Sequence, residues 1–156
     1  MHLAPRWRQA AVTLLLGLAG TAFAADSPSD PPVAADPLAA ARDQIEAKRW
    51  PAALAELKRV NAGSNADWNN LMGYTLRKQT PPDLDGAQRA YDAALRIDPR
   101  HQGALAYSGE LALMRGDLGT AEARLASLAK LCSSPCEALD ELKASLASYK
   151  AKGGKV

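Results

Sequence analysis

Apolar residues recur at helical intervals along most of the chain: Leu54, Leu57 and Val60, then Leu118, Ala121, Leu125 and Leu128, then Leu139, Leu142 and Leu146. Spacings of three and four place such residues on one face of an α-helix. Strand-like alternation of β-branched residues is missing throughout. From Pro37 onward the composition is dominated by Ala, Leu, Lys, Arg and Glu, which predicts one all-helical domain over 37–151 and a short tail over 152–156. The preceding stretch, Ala25 to Asp36 (ADSPSDPPVAAD), carries prolines and aspartates, with Val33 its only large aliphatic residue. Residues 25–36 are therefore predicted to be a disordered leader.

The N-terminus has a different grammar. Arg6 and Arg8 precede the apolar run Ala10 to Ala19, and Thr21-Ala22-Phe23-Ala24 supplies small residues for cleavage after Ala24. This order predicts a cleavable secretory signal peptide over 1–24 and a periplasmic location. The apolar run is too short to span about 30 Å of hydrocarbon, and no cysteine follows the cleavage site, so no stable membrane anchor is expected afterwards. Cleavage removes Arg6 and Arg8, reducing 19 basic residues to 17 against 17 acidic ones. A near-neutral mature chain carries no charge surplus that would suggest nucleic acid as a partner.

Internal repetition decides the architecture. A shift of about 34 residues aligns Asp83, Leu84, Ala87 and Tyr91 with Asp117, Leu118, Ala121 and Leu125, and the same shift backwards reaches Trp50, Ala53 and Leu57. A large, small, large pattern thus recurs three times at one period. The middle unit holds Trp68, Leu71, Gly73 and Tyr74, then Ala87, Tyr91, Ala94 and Pro99, and the third supplies Gly109, Gly116, Asp117, Leu118 and Ala121. On these residues the chain resembles the tetratricopeptide repeat (TPR) family, whose period and tryptophan-leucine-glycine-tyrosine-alanine-aromatic-proline order they follow. The first unit is degenerate, with Ala41 where glycine belongs; Gly73 stands one residue late, and Thr80-Pro81-Pro82 lengthens a turn.

The resemblance implies a superhelix, an α-solenoid of three helix-turn-helix repeats (37–64, 65–101, 102–134) closed by a cap helix over 135–151. Ala53, Ala87, Gly109 and Ala121 are expected to let paired helices approach, with Trp50, Leu57, Leu84, Tyr91, Leu118 and Leu125 filling the space between units. Pro51 suits a first helical turn, and Asp98-Pro99 should end a repeat.

Cys132 and Cys136, the only cysteines, flank the start of the predicted cap helix, with Pro135 in its first turn and Ser133 or Ser134 as N-cap. In an exported protein a lone cysteine pair is expected to oxidise, and a disulfide there would tether the cap to the stack. Small exported TPR proteins with a similar Cys-x-x-x-Cys tail strengthen that expectation. Two alternatives use the same pair: thiol redox chemistry, or soft Cu(I) held by two thiolates with Met72 or Met114. His101 is expected in the turn between the second and third repeats, as a solvated residue more readily than a ligand. Asp83-Leu84-Asp85-Gly86 lacks calcium-loop spacing, and its aspartates are read as helix caps. No phosphate loop or catalytic constellation stands out, so no enzyme, cofactor or metal is expected.

What remains is recognition. By resemblance, Arg42, Ile45, Asn70, Tyr74, Arg77, Lys78, Tyr107, Glu110 and Met114 would line the concave groove. Arg77 and Lys78 beside Tyr74 would suit an extended peptide with an acidic or C-terminal carboxylate group, although the same residues also read as a solvated helix end. Ala106 and Glu110 stand where chaperone-binding relatives have asparagine and a base, so their carboxylate clamp is not reproduced. The expectation is a non-catalytic adaptor for an unidentified protein or peptide, with self-association through an exposed repeat end as a further option.

Overall fold

Helix boundaries follow the local sequence chemistry. The computed structural model describes residues 36–133 and 135–155; the predicted signal peptide and all of the predicted leader except Asp36 lie outside them. Among the described residues there are seven helices and no strand: α1 (Ala39–Glu46), α2 (Trp50–Val60), α3 (Ala66–Lys78), α4 (Leu84–Ile97), α5 (Gln102–Met114), α6 (Leu118–Leu131) and α7 (Glu137–Ala151). Side chains cap four of them at the N-terminus: Asn65 accepts from Trp68 N–H, Asp83 from Gly86, His101 from Ala104 and Asp117 from Thr120. Each satisfies a donor that the first helical turn leaves orphaned. Pro51 sits in the first turn of α2, where its missing N–H costs nothing. Gly116, with φ of 77°, makes the left-handed turn between α5 and α6.

His101 therefore differs from its expected role. It is a cap with Nδ1 3.1 Å from Ala104 N and Nε2 2.9 Å from Asp67, and its side chain is only 13% exposed. The start of α7 differs too. Cys136 occupies the N-cap position in extended backbone and makes no side-chain cap bond, and Pro135 precedes the helix. The disulfide fixes Cys136 to the end of α6, so helix begins only after it; Glu137 and Asp140 place negative charge in the first turn instead.

Helices pack in sequence-adjacent pairs, α1 on α2, α3 on α4 and α5 on α6, and each pair then packs on the next. The core is a row of small clusters rather than one centre. Leu38, Ala41, Leu57, Leu71 and Met72 form the first, Ala87, Tyr91 and Leu111 the next, and Leu105, Leu128 and Leu142 bring in α7. Ala53, Leu57, Ala87, Tyr91 and Ala121 are fully buried, whereas Trp50, Leu84, Leu118 and Leu125 are half-buried. Two glycines allow close approaches between helices. A Cβ on Gly73 would lie 2.6 Å from the Tyr91 ring, and one on Gly109 would lie 2.7 Å from the Leu142 side chain. Helix α5 touches α3, α4, α6 and α7, which is why its sequence is apolar on nearly every face.

Candidate functional site

Three elements meet at one end of α3. Its last two turns carry Tyr74, Arg77 and Lys78; α5 brings Tyr107, Glu110 and Met114; α7 faces both. Arg77 is 7% exposed, yet it is an arginine, so its charge must be met inside the protein. Glu110 Oε2 lies 2.7 Å from its Nη2. The guanidinium carbon also lies 5.5 Å from the Tyr74 ring centre and 5.7 Å from that of Tyr107, and the two rings are 4.8 Å apart. These faces add cation–π attraction to the ion pair. Neither Nε nor Nη2 of Arg77 has a well-aligned hydrogen-bond acceptor, so the pair is held by proximity of charge more than by directed bonds.

Electrostatic consequences follow from this burial. Desolvation works to lower the Arg77 pKa, but the Tyr91 hydroxyl and Glu110 outweigh it and leave the value raised. Burial pushes the Tyr91 hydroxyl up strongly, against the opposing influence of Arg77. Tyr74 and Tyr107 are raised as well, burial being the main cause in both. Glu141 on α7 is raised by desolvation and then by the nearby carboxylates of Glu110 and Glu137. The assembly is thus a network of neutral phenols and one neutralised cation.

A cleft of about 520 Å³ opens beside it. Arg77 and Glu110 line one side, Leu113, Met114 and Ala144 form its apolar floor, and Ser145, Ser148 and Tyr149 its α7 wall. Lys78, Lys152 and Lys155 stand at its edge. Ser145 Oγ donates to Glu110 Oε1 at 3.1 Å, which fastens α7 to the Arg77–Glu110 pair. Lys155 reaches the cleft because the chain turns back after α7: Gly153 and Gly154 have φ of 68° and 83°, and Gly154 N–H bonds to the Tyr149 carbonyl at 3.0 Å. Such a glycine-dependent reversal is a common helix ending. A smaller cleft of about 280 Å³ lies nearer the start of α7, with Tyr107, Glu137 and Glu141 among its walls.

The structure thus brings together Tyr74, Arg77, Lys78, Tyr107, Glu110 and Met114. It sets the other groove candidates apart. Arg42 pairs with Asp36 at 3.3 Å and Asp67 at 3.7 Å, Ile45 packs on the first core cluster, and Asn70 is buried against Gly103. Cys132 and Cys136 form a disulfide with Cα atoms 5.8 Å apart. Met72 is buried in the first cluster, away from that disulfide's core neighbours. Among the described residues no group of three or more His, Cys, Asp or Glu is placed to hold a metal. No helix among them is long and apolar enough to cross a membrane.

Sequence reasoning missed Ser145, Tyr149, Lys152 and Lys155. Their signal was present: Glu141, Ser145, Ser148 and Lys152 share one helical face, and Gly153-Gly154 marks a turned helix end. No protein-family model matches the chain, and no curated protein matches it either.

Proposed function

We propose that this chain is a non-catalytic scaffold of TPR type, three helix pairs forming a superhelix with a closing helix, that holds a protein or peptide partner in the cleft between α3, α5 and α7. On this reading it is exported by a cleaved signal peptide and works in the periplasm. One observation carries the proposal. Buried Arg77, packed with half-buried Tyr74, Tyr107 and Glu110, is fixed beside an open cleft whose edge is cationic and whose floor is apolar. A rigid side of this kind lets a partner bind without first ordering the site. The paired helices and the small-residue contacts at Gly73 and Gly109 support the scaffold reading. The disulfide acts as a tether for α7, which forms a wall of the cleft.

The test compares partner co-purification across three forms of the chain. Lys78→Glu with Lys152→Glu should abolish partner recovery while leaving the melting curve unchanged, because both side chains are exposed. Cys132→Ser with Cys136→Ser should lower stability and retain the partner. Retention by the lysine variant together with loss in the well-folded serine variant would transfer the function to the cysteines.

A further inference from the structure

Resting on the scaffold reading, we infer that the occupant of the larger cleft is a short acidic segment bearing an aliphatic side chain, bound through its side chains and not through a free chain end. The acid groups are read by Lys78, Lys152 and Lys155. None of these lysines takes part in an ion pair among the described residues, whereas Arg77 is committed to Glu110. Flexible ammonium groups on a rim act as point charges that follow a ligand's carboxylates. With its Nε and Nη2 buried and Glu110 2.7 Å from Nη2, the guanidinium does not present a two-bond fork to a terminal carboxylate. The arginine supports one side of the cleft instead.

The floor selects the second feature. Met114 is 36% exposed beside Leu113 and Ala144, leaving an unbranched, adaptable apolar surface for one aliphatic side chain. Length follows from α7. Ala144 to Lys152 rises about 12 Å along a helix, a distance spanned by about four extended residues.

The other end of α7 limits the charge. Glu141 precedes Ser145 by one turn, about 6 Å, and Glu137 precedes Glu141 by another. Both carboxylates border the smaller cleft. An acidic run continuing beyond Ser145 therefore meets like charge, a repulsion that confers selectivity. The same carboxylates and Glu110 disfavour a polyphosphate backbone, which would extend past three lysines in either direction. Acid at the start of α7 and base at its end also complement the helix dipole, so the arrangement stabilises the wall it polarises.

Fluorescence polarisation on the purified chain tests this with labelled, acetylated and amidated peptides alternating glutamate and leucine, of four and twelve residues. The four-residue peptide should bind saturably and more tightly than the twelve-residue one. Lys152→Ala with Lys155→Ala should weaken it about five-fold, the effect of two exposed ion pairs, and Glu137→Gln with Glu141→Gln should remove the penalty on the longer peptide. Melting curves at or above that of the wild type confirm that these exposed substitutions leave the fold intact. The proposal is overturned if affinity is unaltered in the lysine variant, if an oligothymidylate binds equally well, or if binding requires a free carboxyl terminus. Failure of the glutamate peptide with Met114-dependent binding of a lysine–leucine counterpart overturns the acidic class and leaves the scaffold reading standing. Failure of every peptide, together with partner recovery unaffected by Lys78→Glu with Lys152→Glu, overturns both.

Discussion

Removing Glu110 exposes how one side of the cleft is held. The Arg77 side chain is 6% exposed and that of Glu110 20%, with 2.7 Å between Nη2 and Oε2. At about 4 Å between charge centres and an effective dielectric of about 20, their attraction is about 4 kcal/mol. Desolvation cancels much of that when both groups are considered together, but not when one partner is deleted. Glu110→Ala leaves a buried guanidinium with only the Tyr74 and Tyr107 faces to stabilise it. The expected loss is about 3 kcal/mol, the lower end for a broken buried pair, because water entering from the cleft solvates the orphan. Arg77→Met should cost only about 1 kcal/mol, since Glu110 keeps Ser145 and can turn toward solvent. The double variant Arg77→Met, Glu110→Ala should lose only about 1 kcal/mol, giving a coupling of about 3 kcal/mol. Urea titration followed by the fluorescence of Trp50 and Trp68 measures all four corners. A Glu110→Ala loss below about 0.5 kcal/mol, the usual scale of a surface change, would refute the buried-pair account.

Three further outcomes follow from the packing. Cys132→Ser with Cys136→Ser should lower unfolding free energy by about 2 kcal/mol, the loop-closure value for so short a ring, and hydrogen exchange should rise first in α7. Gly73→Ala should cost about 2 kcal/mol by overpacking, since its Cβ would meet a fully buried Tyr91 ring, and a neutral result in thermal melting would contradict that contact. Glu141 has a raised pKa in the folded state, so the folded chain holds its proton more tightly than the unfolded one. Its destabilisation is complete above that raised value and is relieved as pH falls through it. Glu141→Gln should therefore raise the urea midpoint at pH 7 and lose that advantage toward pH 4.

Much of the architecture was legible because helical periodicity and capping are local. Leu118, Ala121, Leu125 and Leu128 mark one face of α6, and Asp83 and Asp117 sit where caps are needed. The surroundings of Arg77 were not legible. Sequence places it on the last turn of α3, but only the position of α5 and its Glu110 determines that it is buried and ion-paired. The contribution of Lys152 and Lys155 depends on where α7 docks, through Leu142 against Gly109 and Leu146 against the α5–α6 pair. Those are contacts between residues far apart in sequence. The α7 cap was misjudged for a different reason: a covalent tether at Cys136 overrode the local preference of Ser133, and Ser134 lies outside the described residues.

The central claim, that the α3–α5–α7 cleft is where a partner sits, is tested most directly by site-specific photocrosslinking in the native compartment. A photoreactive residue replacing Met114, exposed on the cleft floor, is compared with one replacing Arg89, exposed on α4 outside the cleft. The account predicts a discrete adduct from position 114 that disappears on adding Lys78→Glu, and none from position 89. Adducts of equal yield from both positions, or from position 89 alone, would contradict it.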